Sequence, residues 1–207
     1  SPPTAHLDGL LAAHAAGIPC LGEKPLVDVA HTADGLALIA AFRARGIMLA
    51  ENCQWPFVLP ALHELHPELR GEPVRMVAMG LSPSSAGRAM IDDSLSHVLS
   101  VVQALVTVDP APGAAHVRQT DPGPTAARNL LTFELATLTG PVAVELHLQQ
   151  CPNQPRPAWL SVNGCRIDRR IGPRYEQSFA AVDKPEKPVS VTDPLHQLVY
   201  RFATLLR

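Results

Sequence analysis

The chain has 207 residues, 46% of them apolar, and its formal net charge is −2 at pH 7. A chain of this length and apolar content can form one large domain or two small ones around a sizeable core. The near-neutral charge, without long charge runs, excludes the basic face that a nucleic-acid partner requires. No apolar run of about 18 residues is free of charge and proline, so we expect no membrane span.

The four cysteines are Cys20, Cys53, Cys151 and Cys165. No two of them form a C-x-x-C pair, so the cysteines alone do not predict a zinc site. Dispersed free thiols are typical of proteins in a reducing compartment. The first residues also lack the basic start and apolar stretch of a signal peptide, and we therefore expect the protein to be cytoplasmic.

Helical and strand-like segments alternate in the first part of the chain. The sequence predicts a helix, a strand, a helix and a strand, at residues 6–16, 18–22, 28–45 and 47–51. Thr4 is a suitable N-cap for the first helix, and Gly17 is a suitable stop. Short connections between alternating helices and strands are typical of a parallel sheet with crossover helices.

The sequence pattern changes near Gly71, after a helix at 59–69 that Pro67 should bend or end. The elements predicted beyond this point are a strand at 74–79, a helix at 91–106, strands at 116–120, 130–138, 142–149 and 159–162, and a helix that follows Asp193-Pro194. Within 142–149, apolar and polar residues alternate, which suits a strand of an antiparallel sheet with one buried face. The Gly140-Pro141 junction before it predicts a hairpin turn.

Two sets of polar residues indicate proton chemistry. Glu23-Lys24-Pro25 follows the first predicted strand, and the proline holds Lys24 extended; a cis Lys24–Pro25 bond is a further hypothesis. Asp93 and His97 lie on one face of the helix at 91–106, because their spacing is one helical turn. A histidine with a pKa of about 6.5 suits a general base, and a lysine can stabilise an alkoxide. Together these residues predict a site that deprotonates a hydroxyl.

Other polar residues are better explained by structure. Asp92 is an alternative to Asp93 as the carboxylate of the site, but its position suits a role at the N-terminus of the helix. His63 and His66 have a spacing that can hold one ion, yet the sequence shows no third ligand, so a solvated helix face is favoured and we predict no metal site. Cys53 is interpreted as a packing residue. A solvated or interface cluster is the interpretation for Arg166, Arg169 and Arg170.

Four segments of the sequence match one family in order and separation. They are Ser1-Pro2-Pro3-Thr4-Ala5-His6 (T-P-P-x-x-H), residues 17–26 (G-K-x-V-x-x-E-K-P-L), Asp93-Ser94-Leu95-Ser96-His97 (D-x-G-x-H) and Asp193-Pro194 (D-P). In these segments, and over most of its length, the chain resembles the glucose–fructose oxidoreductase / inositol dehydrogenase / MocA family of NAD(P)-dependent oxidoreductases. The E-K-P stretch is the most specific of the matches.

The resemblance implies an α/β fold in two domains. Residues 1–70 would form the C-terminal part of a Rossmann domain without its glycine-rich loop, and residues 71–207 an α+β domain with a largely antiparallel sheet. It also implies that the G-x-G-x-x-G loop lies upstream of Ser1, together with the residue that distinguishes NAD from NADP.

The resemblance further implies hydride transfer between NAD or NADP and a hydroxyl or carbonyl of a sugar, cyclitol or related polyol. It assigns Lys24, Asp93 and His97 to the catalytic set. It places Pro3, Glu23, Lys24 and Pro25 beside the cofactor, on the nicotinamide side.

The resemblance also bears on partners. In such proteins a polar sheet face often meets the substrate or a neighbouring subunit, so we expect a homo-oligomer formed through the C-terminal sheet. Here that face carries Glu145, His147 and Gln149, and plain solvent exposure explains it equally well.

Three positions depart from the family pattern. Leu95 replaces a glycine and should add bulk near the site, Ser100 replaces an aspartate, and residues 53–57 replace an arginine-containing stretch. These departures keep open an alternative, a non-catalytic relative that acts as a ligand-binding or subunit-interaction module.

Overall fold

The computed structural model describes residues 5–109, 114–120 and 123–206. The helices are α1 (His6–Ala16), α2 (Thr32–Ala44), α3 (Leu59–Leu65), α4 (Ala89–Leu105) and α5 (Pro194–Leu205), with short 3-10 helices at Val29–His31, Trp55–Val58 and Pro67–Leu69. The strands are β1 (Cys20–Gly22), β2 (Leu49–Glu51), β3 (Met76–Leu81), β4 (Ala114–Gln119), β5 (Arg128–Leu135), β6 (Val142–Gln149), β7 (Trp159–Val162), β8 (Cys165–Ile171), β9 (Gln177–Ala181) and β10 (Val189–Val191).

The chain divides into two compact units, residues 1–54 with 195–207, and residues 55–194. The boundary predicted between residues 70 and 71 lies inside the second of these units. The division of the chain into a partial Rossmann domain at 1–70 and a substrate and oligomerisation domain at 71–207 stays a prediction.

The first unit is built around a parallel pair of short strands. β1 and β2 pair from Cys20 with Leu49 to Gly22 with Glu51, and α2 makes the crossover between them. The alternation predicted from the sequence is confirmed, although both strands are shorter than expected. Gly17 ends α1 in the left-handed conformation that favours glycine. The fully buried apolar core of this unit consists of Leu10, Leu38 and Phe42.

The start of α2 lies later than predicted because Asp28 forms a local cap. Its carboxylate accepts hydrogen bonds from the backbone N–H groups of Ala30 and His31, at 2.9 and 3.2 Å. These bonds stabilise a 3-10 turn at Val29–His31, and regular α-helix begins only at Thr32. Pro67 acts as expected in the second unit: α3 ends at Leu65, and the proline begins a separate 3-10 turn.

The second unit contains an eight-stranded sheet in the order β10-β9-β8-β7-β3-β6-β5-β4. Of the neighbouring pairs, β3 with β6 is parallel and the rest are antiparallel, which confirms the largely antiparallel sheet. The predicted alternation along β6 is also confirmed. Val142, Val144, Leu146 and Leu148 are buried in one core with the apolar face of α4, and the residues between them are partly exposed.

The strands β8, β9 and β10 were not predicted from the sequence. β8 contains Arg166, Asp168 and Arg169, and so it lacks the apolar pattern of a strand. Ile167 is nevertheless fully buried, and the strand pairs with β7 on one side and β9 on the other. Among the described residues, no helix has the length and apolar character that crossing a membrane requires.

Of the arginines interpreted as a solvated or interface cluster, Arg169 packs within the second unit instead of extending into solvent. Its guanidinium lies 5.7 Å from the ring centroid of Trp55, and its Nη2 donates a hydrogen bond to the carbonyl of Arg156 at 2.7 Å. Burial lowers the pKa of Arg169 from its usual value. The neighbouring Arg170 is exposed, as expected.

Candidate active site

The Glu23-Lys24-Pro25 segment begins where the parallel strands of the first unit end. Glu23 follows β1, and its Oε1 accepts a hydrogen bond from Asn52 Nδ2 at 2.8 Å, just beyond β2. The backbone N–H of Leu26 donates to Glu51 Oε1 at 3.2 Å. Ligands of open α/β sheets bind outside the carboxyl ends of the strands, and this segment lies at that edge.

The buried side chain of His6 fixes Pro25, the last residue of the segment. His6 Nδ1 lies 2.8 Å from the carbonyl oxygen of Pro25. A carbonyl only accepts, so Nδ1 carries the proton and donates it. The Lys24–Pro25 peptide bond is cis, as hypothesised. His6 and the E-K-P stretch were matched to the family as separate segments, and the fold joins them through this hydrogen bond.

Close packing on two glycines completes the support of the segment. A Cβ added at Gly22 would lie 2.9 Å from Leu26, and one at Gly35 would lie 2.6 Å from Val27. The chain after Pro25 therefore folds tightly against β1 and α2. As a result, the half-buried Lys24 lies in a segment whose backbone is held on both sides.

Asp93 and His97 lie on α4 in the second unit. Both are half-buried, whereas Asp92 is exposed, in agreement with a role for Asp92 at the helix N-terminus. The hydroxyl of Ser100 donates to the carbonyl oxygen of His97 at 2.7 Å. Ser100, which replaces an aspartate of the family pattern, is thus bonded to its own helix backbone.

Leu95, expected to add bulk near the site, lies on the side of α4 opposite Asp93 and His97. A separation of two residues on a helix turns a side chain about 160° away from Asp93 and from His97. Leu95 packs against the hydrophobic core instead. Its replacement of the family's glycine therefore leaves the face that carries Asp93 and His97 clear, and it gives no support to the non-catalytic alternative.

The predicted site residues form two groups in the structure. Glu23, Lys24 and Pro25 come together in the first unit, and Asp93 and His97 come together in the second. Pro3, the remaining residue predicted at the cofactor, lies outside the described residues. Cys53 is buried, which agrees with a packing role, and its thiol donates to Glu51 Oε2 at 3.2 Å.

On the polar sheet face of the second unit, Trp159 brings together Arg166 and His147, which the sequence analysis had named separately. Arg166 lies over the ring of Trp159 at 4.3 Å, and the His147 ring is 5.2 Å from the Trp159 ring. His147 Nε2 is 2.9 Å from Glu145 Oε2. Gly80 lies directly beneath Trp159, and a side chain at this position would overlap the indole. Gly80, His147, Trp159 and Arg166 border an open cavity of about 840 Å³.

The solved structures that match the chain include oxidoreductases of the glucose–fructose oxidoreductase / inositol dehydrogenase / MocA type. The chain has their fold, which confirms the resemblance and the fold class expected from its motifs. No family model and no curated protein matches the sequence.

Three of these structures illustrate the similarity. UDP-N-acetylglucosamine 3-dehydrogenase GnnA from Acidithiobacillus ferrooxidans is 17% identical, with a TM-score of 0.62 and coverage of 100% of this chain and 67% of that chain. A protein from Magnetospirillum magnetotacticum MS-1, named as an oxidoreductase, is 26% identical, with a TM-score of 0.60 and coverage of 98% and 69%. An inositol dehydrogenase homolog from Azotobacter vinelandii, solved with NADH and myo-inositol, is 13% identical, with a TM-score of 0.56 and coverage of 94% and 57%. The chain thus spans between 57% and 69% of the length of these three proteins.

Proposed function

We propose that the intact protein is an NAD(P)-dependent oxidoreductase that transfers a hydride between a nicotinamide cofactor and a hydroxyl or carbonyl of a sugar, cyclitol or related polyol. One observation carries this proposal: the Glu23-Lys24-Pro25 segment is fixed at the carboxyl ends of the parallel β1–β2 pair, in a chain with an oxidoreductase fold. This edge is the general ligand-binding edge of open α/β sheets.

The residues at this edge suit the nicotinamide end of NAD or NADP. Asn52 Oδ1 is a buried acceptor for which the described residues supply no hydrogen-bond donor, and the amide group of a nicotinamide has such a donor. Pro3, Glu23, Lys24 and Pro25 would border the cofactor. When bound, the cofactor supplies the hydride chemistry, and the protein contributes binding and orientation.

Proton transfer in this proposal belongs to Lys24, Asp93 and His97. His97 would take the hydroxyl proton as general base, with Asp93 one helical turn away on the same face of α4. The ammonium of Lys24 would stabilise the alkoxide that forms, and in the reverse direction it would polarise the carbonyl. The Azotobacter vinelandii homolog was solved with myo-inositol, which supports a substrate with several hydroxyls.

Kinetics of the intact protein with a polyol panel test this assignment. NADH or NADPH titrated into the protein should change in fluorescence. His97→Ala and Lys24→Ala should lower kcat by a factor on the order of 10²–10⁴, the usual contribution of a positioned proton-transfer group.

Asp92→Asn is the matched control, because Asp92 is the exposed neighbour of Asp93. This variant should keep the activity of the unmodified protein. The assignment fails if neither nucleotide binds, or if Lys24→Ala and His97→Ala turn over substrate as fast as Asp92→Asn does.

We further propose that the intact protein is a homo-oligomer formed through the open sheet face that carries Glu145, His147 and Trp159. Stacked aromatic and arginine side chains, as found on this face, are typical of subunit interfaces. Sedimentation of the intact protein tests this directly. A cytoplasmic location is also proposed, and the four cysteines, all of them free thiols, support it.

A further inference from the structure

A cluster of three potential metal ligands lies in the second unit and shares no residue with the candidate active site. It consists of His66, which follows α3, Glu68 in the next 3-10 turn, and Cys165 at the start of β8. One donor atom of each lies within 4.8 Å of the others. His66 Nδ1 is 3.0 Å from Glu68 Oε1, and Cys165 Sγ is 3.5 Å from the same oxygen.

The hydrogen bond of His66 Nε2 shows which ring nitrogen is left to act as a ligand in the cluster. Nε2 lies 3.2 Å from the carbonyl oxygen of Arg166, which can only accept, so Nε2 carries a proton. In the neutral ring, Nδ1 then presents a lone pair toward the carboxylate of Glu68. A proton on Nδ1 satisfies this contact as a hydrogen bond to Glu68, and a metal ion can take the place of that proton and bind both atoms. A metal-bound histidine usually donates its other N–H to such a carbonyl.

The spacing of the donors fits a tetrahedral zinc ion after small side-chain movements. Zn–N and Zn–O bonds of about 2.1 Å place such donors about 3.4 Å apart, and a Zn–S bond of about 2.3 Å places sulfur about 3.6 Å from oxygen. The observed separations are 3.0 Å for nitrogen to oxygen and 3.5 Å for sulfur to oxygen. Glu68 has a side chain that is 60% exposed, so it has room to adjust.

The backbone that presents Cys165 is held firmly. The turn between β7 and β8 has positive φ at Asn163 and Gly164. The amide of Asn163 accepts hydrogen bonds from the N–H groups of Arg75 and Met76, at 2.8 and 3.1 Å, and donates to the carbonyl of Pro73 at 2.9 Å. The thiol therefore lies on a hairpin fastened to a neighbouring segment, as a preorganised ligand requires.

The cluster is also accessible from solvent. An open cavity of about 500 Å³ is lined by Glu68 and Cys165, whereas the His66 side chain is only 11% exposed. This arrangement provides an entry path and leaves one coordination position to water, and a mixed set of imidazole, thiolate and carboxylate suits zinc. We infer that His66, Glu68 and Cys165 form a zinc-binding site that ties the segment after α3 to the β7–β8 hairpin. On binding, a Zn–S bond forms and the thiol proton leaves to solvent.

Cobalt(II) titration into the intact protein, after treatment with a chelator, tests this site. Cobalt occupies zinc sites and shows a sulfur-to-metal charge-transfer absorption when a thiolate is bound. We expect this absorption to saturate at one metal per chain and to disappear when zinc is added. Zinc should also raise the thermal unfolding midpoint.

Matched variants separate this site from its neighbours. Cys165→Ser should abolish the charge-transfer absorption and the thermal shift, while Cys151→Ser should keep both. Glu68→Gln should weaken binding, whereas His63→Asn, at the histidine first paired with His66 by sequence spacing, should leave it unchanged. The inference is overturned if the unmodified protein binds no stoichiometric cobalt, or if the absorption survives in Cys165→Ser. Circular dichroism of each variant checks that it is folded.

Discussion

The two compact units hold their candidate catalytic residues by different means. In the first unit, Lys24 lies in a loop held by the polar contacts of His6, Glu51 and Asn52, above a small apolar core. In the second unit, Asp93 and His97 lie on a helix whose opposite face is buried in one core with strands β3 and β5 to β9. The loop in the first unit is thus held by hydrogen bonds as well as by packing on two glycines, whereas apolar packing holds the helix in the second unit, so the two should respond differently to substitution.

The largest expected effects come from substitutions in the two cores. Phe42→Ala should cost about 3–5 kcal/mol and Leu146→Ala about 2–5 kcal/mol, because both side chains are almost fully buried and each change leaves a cavity. Hydrogen exchange followed by mass spectrometry locates each loss. We expect Phe42→Ala to deprotect α1 and α2, and Leu146→Ala to deprotect β5, β6 and α4.

The contrast between the units fails if Phe42→Ala deprotects β6 as strongly as it deprotects α2. Such a result means that the units unfold together. Leu36→Ala is the control on α2, because Leu36 is 65% exposed and its loss removes little buried surface.

The difference between apolar packing and polar contacts also explains how far the sequence could predict the fold. The bounds of β6 and β7 were predicted correctly, and α4 was predicted to within two residues at its start, because apolar periodicity follows burial directly. β8 was missed because Arg166 and Arg169 hide its pattern. Their guanidinium groups lie over tryptophan rings, and no local rule links an arginine to an aromatic residue elsewhere in the chain.

The candidate sites show the same limit. Glu23-Lys24-Pro25 was found because its residues are consecutive, and Asp93 and His97 because their spacing is one helical turn. The contact of His6 with Pro25 and the grouping of His66 with Cys165 depend on tertiary structure, over 19 residues in the first case and about a hundred in the second. Spacing alone had paired His66 with His63, and the fold pairs it with Glu68 and Cys165.

Gly80 lies in β3, on the open sheet face that carries Trp159. We expect a smaller effect from its substitution. A methyl group there would overlap the indole of Trp159, so Gly80→Ala must displace that ring from its stack with Arg166. Overpacking of this kind costs about 1–3 kcal/mol. Denaturant unfolding measures the cost, and a change in tryptophan emission reports the displaced ring.

Gly9→Ala provides the opposite case in the first unit. Gly9 is helical, and nothing lies within 4 Å of an added Cβ. Alanine should therefore stabilise α1 by about 0.5–1 kcal/mol. If Gly80→Ala is as well tolerated as Gly9→Ala, the ring of Trp159 is not fixed by packing on β3.

The smallest effect concerns the acid response of the cap that precedes α2. The pKa of Asp28 lies below its usual value, chiefly because its carboxylate is hydrogen-bonded to the His31 ring at 2.8 Å, with further backbone hydrogen bonds from Ala30 and His31. A lowered pKa means that the unfolded chain takes up the proton more readily than the folded one. The stabilisation by Asp28 is therefore complete above the unfolded pKa and is lost as the pH falls through the folded pKa.

Asp28→Asn isolates this contribution, because asparagine caps helices about as well as aspartate but carries no titrating carboxyl. Protection factors of the α2 amides should fall in acid in the unmodified protein and change less in Asp28→Asn. Asp34→Asn, an acidic residue in the first turn of the same helix, is the control and should retain the acid-dependent loss. An equal acid response in Asp28→Asn and the unmodified protein would place the origin of that response outside the cap.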